Sequence, residues 1–316
     1  MKNNILLNFY FQNMEKLKSL PKVKNNRDNY LEKMSRRTFL KNTAVLGATL
    51  ALSPKELLAQ QKGELSDDAN IKEIANFIVY YRESVDYAKL WDNEVPVLFL
   101  GERHDVISDK NELIKNLPNF RKNGMTHLAM EMLRESYQGI IDGYINGEID
   151  RGEVLKIFKK GWNKGLGIPE KYMEIIDVAK SNGVRILAID LYTKSSNYFT
   201  SDFFRKRNAN WARIAKLILK KNKRARILFY CGQSHSGYNK VDDTANEILE
   251  SVGIESKVVE FAGGKIAKGN AYFFTDKIAK AAQSVKLSGE KFSLRINSDD
   301  DVRGSDHIIH LPQIEM

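Results

Sequence analysis

The sequence predicts an α/β fold: a largely parallel central sheet flanked by helices, with short C-terminal edge strands. Three observations predict it. Five short apolar runs (residues 95–100, 127–132, 184–189, 226–231 and 256–261) alternate with longer stretches of helical spacing. Those runs are apolar at both parities, as in strands covered on both faces. After residue 59 about 257 residues remain, room for one large domain, assigned to 60–316.

The elements follow in chain order. Apolar residues at helical spacing (Ile71, Ile74, Ile78, Tyr81, Val85 and Leu90) predict one amphipathic helix over 69–91. "VPVLFL" and "HLAMEM" then predict the first two strands, "VRILAI" the third, "RILFYC" the fourth and "SKVVEF" the fifth. The tail reads differently. "NAYFF" (270–274), "EKFSLRI" (290–296) and "DHIIHL" (306–311) are expected as short strands with little helix between them, added as antiparallel edges. No internal repeat or long low-complexity linker interrupts the pattern.

Residues 34–42 read "MSRRTFLKN", with Arg36 and Arg37 followed by Phe39, Leu40 and Lys41. This resembles the twin-arginine (Tat) export signal, and the apolar run Thr43–Ser53 is too short to span a bilayer. Residues 34–59 are therefore expected to be a targeting segment. Residues 1–33, rich in Asn and Lys, are expected to be an unstructured extension, with translation starting at Met34. The resemblance implies the Tat translocase as a partner during export, and a periplasmic or otherwise exported protein.

Charge excludes one simple reading. The net charge is +10, but residues 1–59 hold 11 Lys and Arg against 4 Asp and Glu, leaving 39 against 36. The basic excess belongs mostly to targeting, so no nucleic-acid partner is expected. "KKNKRAR" (220–226) reads as a solvated helix end. Cys231 is the single cysteine, which rules out an intrachain disulfide; it reads as a small core residue.

Ligands of open parallel sheets bind beyond the carboxyl ends of the strands. Four of the predicted strands end in polar residues. "GERHD" supplies Glu102, His104 and Asp105; Glu131 and Asp190 follow the second and third; "GQSH" supplies His235. Each has a bland reading as a cap or buried acceptor. The repeated glycine–two residues–His after two apolar strands favours a site. Two imidazoles with several carboxylates suit a divalent metal, an acid–base pair or an iron-porphyrin. His127 lies at the opposite end of its strand. His307 and His310, three apart in a strand, point to opposite faces.

"LFLGERHD", "LAMEM", "KYMEIIDVAKSNGVRILAID" and "ILFYCGQSH" resemble the ChaN-like haem-binding uptake proteins, of a superfamily that includes the Tiki/TraB proteins and the erythromycin esterases. The ordered match is Gly101 and His104, Glu131, Arg207 and Asn208, then Gly232 and His235, within residues 95–311. The resemblance implies an α/β fold with its site at the strand ends. It does not choose among haem handling, metal-dependent proteolysis and ester hydrolysis.

Two functions are carried forward. The first is an exported protein that binds haem or iron, with His104, His235, Tyr192 or Tyr238 as axial ligand and Trp162 near the porphyrin. This reading expects a haem or small-molecule ligand and a possible homodimer. The alternative is a metal-dependent hydrolase of ester or peptide bonds. There His104, His235 and Glu131 hold the ion, Glu102 or Glu131 is the general base, and Arg207 stabilises an oxyanion. A metal-free hydrolase using His104 or His235 directly is a third possibility.

Overall fold

The structure is a computed structural model; it describes residues 67–91, 94–161, 168–192, 200–238, 243–264, 276–296 and 305–312. Arg36, Arg37, the segments 1–33 and 34–59, Trp162 and the predicted strand 270–274 lie outside the described residues.

Seven strands form one sheet: β1 (Val97–Glu102), β2 (His127–Arg134), β3 (Arg185–Asp190), β4 (Ile227–Gly232), β5 (Ser256–Gly263), β6 (Phe292–Arg295) and β7 (His307–Leu311). Their order is β3-β2-β4-β1-β5-β7-β6, all parallel except the β6–β7 pair. The parallel pairs are joined through helices, as crossover connections require. These are α3 (Ile107–Lys122), α4 (Gln138–Asn146), α5 (Arg151–Gly161), α6 (Pro169–Ser181), α7 (Ser201–Lys221) and α8 (Ala245–Ser251). Before the sheet come α1 (Asp67–Tyr81) and α2 (Tyr87–Leu90); α9 (Lys277–Ser284) precedes β6.

Strand alternation divides the core. Leu98, Leu100, Leu128, Met130, Leu228 and Tyr230 pack with α3, α4, α5 and α6 on one face. Val97, Phe99, Ala129, Phe229 and Cys231 pack with Trp211, Ala212 and Ala215 of α7 and Leu249 of α8 on the other. Both faces are covered, which is why the runs carry no polar alternation. Side-chain amides stand in for the missing neighbour of edge strand β3. Gln138 donates to the Ile186 carbonyl at 3.0 Å and accepts from the Ala188 N–H at 2.7 Å. An open row of backbone groups is thereby blunted.

The predicted helix over 69–91 is two helices. Glu83 pairs its backbone with Ser293, and the Asp86 side chain accepts from the Ala88 N–H to begin α2. Tertiary pairing and a cap outweigh the apolar spacing there. Two tail expectations also change. β7 is not an antiparallel edge; it lies parallel to β5 and inside the sheet, leaving β6 as the edge. An unpredicted helix, α9, begins where Asp276 Oδ1 accepts from the Ala279 N–H at 2.8 Å.

Candidate functional site

β1 and β4 are adjacent and in register, with Glu102 opposite Gly232. Their carboxyl ends therefore deliver both glycine–x–x–His segments to one place. β1 continues through Gly101 to Glu102 before the chain turns into α3, and β4 continues to Gly232 before the short helical turn Gln233–His235. The match of strand end to strand end is what brings His104 and His235 to one rim.

Glu102 is 1% exposed and held from several sides. Its Oε1 accepts from Tyr172 of α6 at 2.6 Å and from Nδ1 of His104 at 2.7 Å. Its Oε2 is ion-paired at 2.5 Å with Lys110, itself fully buried in the first turns of α3. Burial alone would raise the Glu102 pKa. Lys110 and His104 overcome it and lower the value to about 2. Glu102 is held as a carboxylate whose oxygens are turned to Tyr172, His104 and Lys110 and away from solvent, which bears against the general-base role expected from the sequence. Its chemistry is to orient His104, which keeps Nδ1 for Glu102 and turns Nε2 toward Gly232.

His104 is the imidazole that reaches solvent, its side chain 24% exposed against 3% for His235. Burial favours its neutral form, but the hydrogen bond and charge of Glu102, with Glu131 beyond, outweigh it and raise its pKa. Gly232 is required by the close approach. A Cβ there would stand 2.9 Å from His104 Nε2 and 3.4 Å from Glu131 Oε2.

The second cluster is built around Arg207, on the buried face of α7. That helix starts at Thr200, whose side chain accepts from the Phe203 N–H. Arg207 is 3% exposed. Nε donates to Asp190 at 2.6 Å, Nη2 to Glu131 at 2.7 Å and Nη1 to His235 Nε2 at 2.8 Å. All three nitrogens serve the protein, so Arg207 is a brace and not the oxyanion stabiliser expected from the sequence. Glu131 is likewise committed. Its Oε1 takes Arg207 and its Oε2 takes the Gly232 N–H at 2.6 Å. Burial would raise its pKa, but His235, Arg207, His104 and that N–H hold it well below the usual range. With both oxygens bonded inside the protein, its geometry likewise bears against the general-base role.

The hydrogen bonds fix the state of His235. The Asn208 amide donates to the Asp243 carbonyl at 2.8 Å, which leaves its oxygen to accept from His235 Nδ1 at 2.8 Å. Nε2 then carries the lone pair that Arg207 meets. Phe204 stacks on the ring at 4.1 Å and Trp211 lies at 4.6 Å. Burial lowers the His235 pKa to about 3, with Arg207 and His104 adding to it against Glu131. His235 is a neutral structural acceptor.

This arrangement does not fit the expected metal set. A divalent ion between His104, His235 and Glu131 would have to displace a guanidinium already bonded to two of them. Among the described residues, no group of three or more His, Cys, Asp or Glu is placed to hold a metal ion. The expected haem ligands separate as well. Tyr238 is 7% exposed and its hydroxyl lies at 2.9 Å from Glu250 and 3.2 Å from Asp306, which removes it from the site. Tyr192 is 66% exposed at the end of β3, with the Arg134 guanidinium 4.7 Å above its ring.

Other histidines fall where their positions suggested or take structural roles. His127 lies 2.7 Å from the Thr126 hydroxyl at the far end of β2. His310 stacks on Phe292 at 4.6 Å and donates Nδ1 to the Glu290 carbonyl. Lys110 and Tyr172 escaped the sequence reading, because each sits inside a helical pattern with no local mark of the glutamate it meets. An isolated lysine facing the core side of α3 was the available signal.

No curated protein matches the chain. Among solved structures, the type III effector HopBA1 is 15% identical with a TM-score of 0.47, over 69% of this chain and 88% of that one. ChaN of Campylobacter jejuni, whose structure is described as showing cofacial haem binding, is 14% identical with a TM-score of 0.36, over 68% and 87%. RRSP, a MARTX toxin effector domain from Vibrio vulnificus, is 16% identical with a TM-score of 0.40, over 79% of this chain and 51% of that one. Residues 90–202, which carry β1 to β3, match the family described as haem-binding uptake, Tiki superfamily, ChaN.

Proposed function

We propose that the chain is a hydrolase of ester or peptide bonds in which His104 activates water. The observation that carries this reading is the 2.7 Å bond between Glu102 and His104 Nδ1. A carboxylate kept ionised by Lys110 orients an imidazole that retains contact with solvent, the arrangement of a general base and its orienting group. In its neutral form His104 accepts a proton from water at Nε2 as the water oxygen bonds to the substrate carbonyl carbon. The carbonyl electron pair moves to oxygen. Collapse of that intermediate breaks the bond to the leaving alkoxide or amine, which takes the proton back from His104. Arg207 and His235 keep Glu131 and the Gly232 backbone in place beneath the imidazole. No step is routed through a metal: two of the three residues expected to hold one, Glu131 and His235, are bonded to Arg207, and the third, His104, is bonded to Glu102.

A screen of activated esters and short peptides tests the reading. Turnover lost about 10²–10⁴-fold in His104→Ala, with the fold intact, is the expected result. Turnover unchanged by that substitution would overturn it.

A second reading, an exported protein that binds haem or iron, draws on the match of residues 90–202 to a haem-binding uptake family and on the exposure of Tyr192. In this reading the Arg36–Arg37 segment directs the chain through the Tat translocase to the periplasm, residues 60–316 act as one domain, and a second copy covers the other porphyrin face. A hemin titration separates the two. A saturable Soret shift abolished by Tyr192→Ala and untouched by His104→Ala favours haem binding at the rim.

A further inference from the structure

We propose that the outer face of α7, with the turn that follows it, is a docking surface for the anionic headgroups of a lipid bilayer. The inference is independent of the hydrolase reading and rests on where the charge lies. Residues 201–226 hold ten Lys and Arg against one acidic residue, Asp202. The rest of the chain after residue 59 holds 29 against 35. A nearly balanced protein therefore concentrates its positive charge on one element.

Eight of the ten cations are exposed, and Arg207 and Arg226 are buried. Near the start of α7 the charge is partly answered. Lys206 pairs with Asp202 at 2.7 Å, and Arg213 with Glu135 at 3.2 Å. Toward the other end it is not. Lys216, Lys220, Lys221, Lys223 and Arg224 form no ion pair among the described residues. The C-terminal helix dipole accounts for about half a negative charge, and only within the last turn. It does not balance five cations.

Leu217 stands among these cations and is 46% exposed, flanked by the half-buried Ile214 and Ile218. A helix of 21 residues presents a convex ridge about 30 Å long. Lysines around a solvent-facing leucine are the chemistry of a helix lying on an anionic interface, where the cations meet headgroups and the apolar side chain enters between them. A nucleic-acid reader places Arg, Asn or Gln against base edges, or aromatic rings against bases. The exposed positions from 216 to 224 offer none of the aromatic rings and only Arg224 and Asn222, at the turn.

The test is co-sedimentation of the full chain with phosphatidylcholine vesicles, with and without about one-third phosphatidylglycerol. Binding is expected on the anionic vesicles only, and is expected to be released in about 1 M salt. The triple variant K216E/K220E/K221E should bind at least tenfold more weakly with an unchanged melting temperature, and K223E/R224E should weaken it in the same direction. Binding that persists in both variants would place the membrane contact elsewhere, the basic residues 1–59 included, and overturn the proposal. So would absence of binding to anionic vesicles, or a DNA duplex bound as tightly as the vesicles.

Discussion

Arg207 donates Nη1–H to Nε2 of His235 at 2.8 Å, so the second glycine–x–x–His segment presents its imidazole to a cation inside the protein. The first segment presents His104 to a carboxylate, Glu102, at 2.7 Å. Two copies of one sequence pattern thus hold opposite electrostatic partners. One imidazole is kept neutral and buried; the other is charged readily and faces solvent. The following predictions test that division of labour.

Removing the brace should destabilise the protein more than removing the imidazole it meets. Arg207→Met leaves Glu131 and Asp190 as buried carboxylates without their counter-charge, a loss of about 3–5 kcal/mol. Urea denaturation gives this value directly. A loss below about 1 kcal/mol would show that the cluster is not bonded as described.

Lys110→Met should behave similarly for Glu102. The pair is fully buried on both sides, and an unpaired carboxylate there is expected to cost about 3–5 kcal/mol. The double variant K110M/E102Q should recover much of the loss, because no charge is then left uncompensated. Equal destabilisation of the single and double variants would contradict the pairing.

The pH dependence of the proposed hydrolysis should follow His104. Its pKa is raised by Glu102 and Glu131, so kcat/KM is expected to climb with pH through a midpoint above 6.5. Replacing Glu102 by Gln removes the largest raising influence, so that midpoint should move to lower pH. An unmoved midpoint would assign the titration to another group.

Stability should fall in acid because of His235, with His307, His127 and His310, whose pKa values burial also lowers, acting in the same direction. The folded pKa of His235 is lowered to about 3 while the unfolded chain titrates near 6.5. Between those values the unfolded state binds a proton the folded state does not, so stability falls as pH drops through that window, by up to about 1.4 kcal/mol per pH unit. Glu102 adds to the loss at lower pH, as its carboxylate must be protonated below its unfolded value while its folded pKa is about 2. His235→Asn should reduce the slope between pH 6.5 and 4, leaving the part that His307, His127 and His310 contribute.

Gly232→Ala should disturb His104 without unfolding the sheet. The added methyl lies 2.9 Å from Nε2 and 3.1 Å from Cε1 of the ring, so the partly exposed imidazole must shift. Activity should drop at least tenfold with a small change in melting temperature. Wild-type activity would mean that His104 Nε2 does not face this backbone during catalysis.

Much of the frame is legible in the sequence because it depends on local and periodic signals. Apolar runs at both parities mark β1 to β5, and polar residues at their ends mark the rim. The broken helix at 81–87 was not legible, since the Glu83–Ser293 bridge joins residues far apart in the chain. β7 went to the sheet interior because its partner β5 lies nearly fifty residues earlier, a pairing that no local pattern encodes.

By itself, the sequence points to the α/β class and to the strand ends at which His104, His235, Glu102, Glu131 and Asp190 gather, with Arg207 added by the family resemblance; Tyr238, named with them, bonds elsewhere. Only the tertiary structure decided what each does. Glu102 and Glu131, equivalent as carboxylates after or within apolar strands, became an orienting group and a braced acceptor because Lys110, Tyr172 and Arg207 arrive from helices distant in sequence. Side-chain chemistry is carried by the residue, but protonation state and free valence are set by neighbours and burial, and those exist only once the chain has folded.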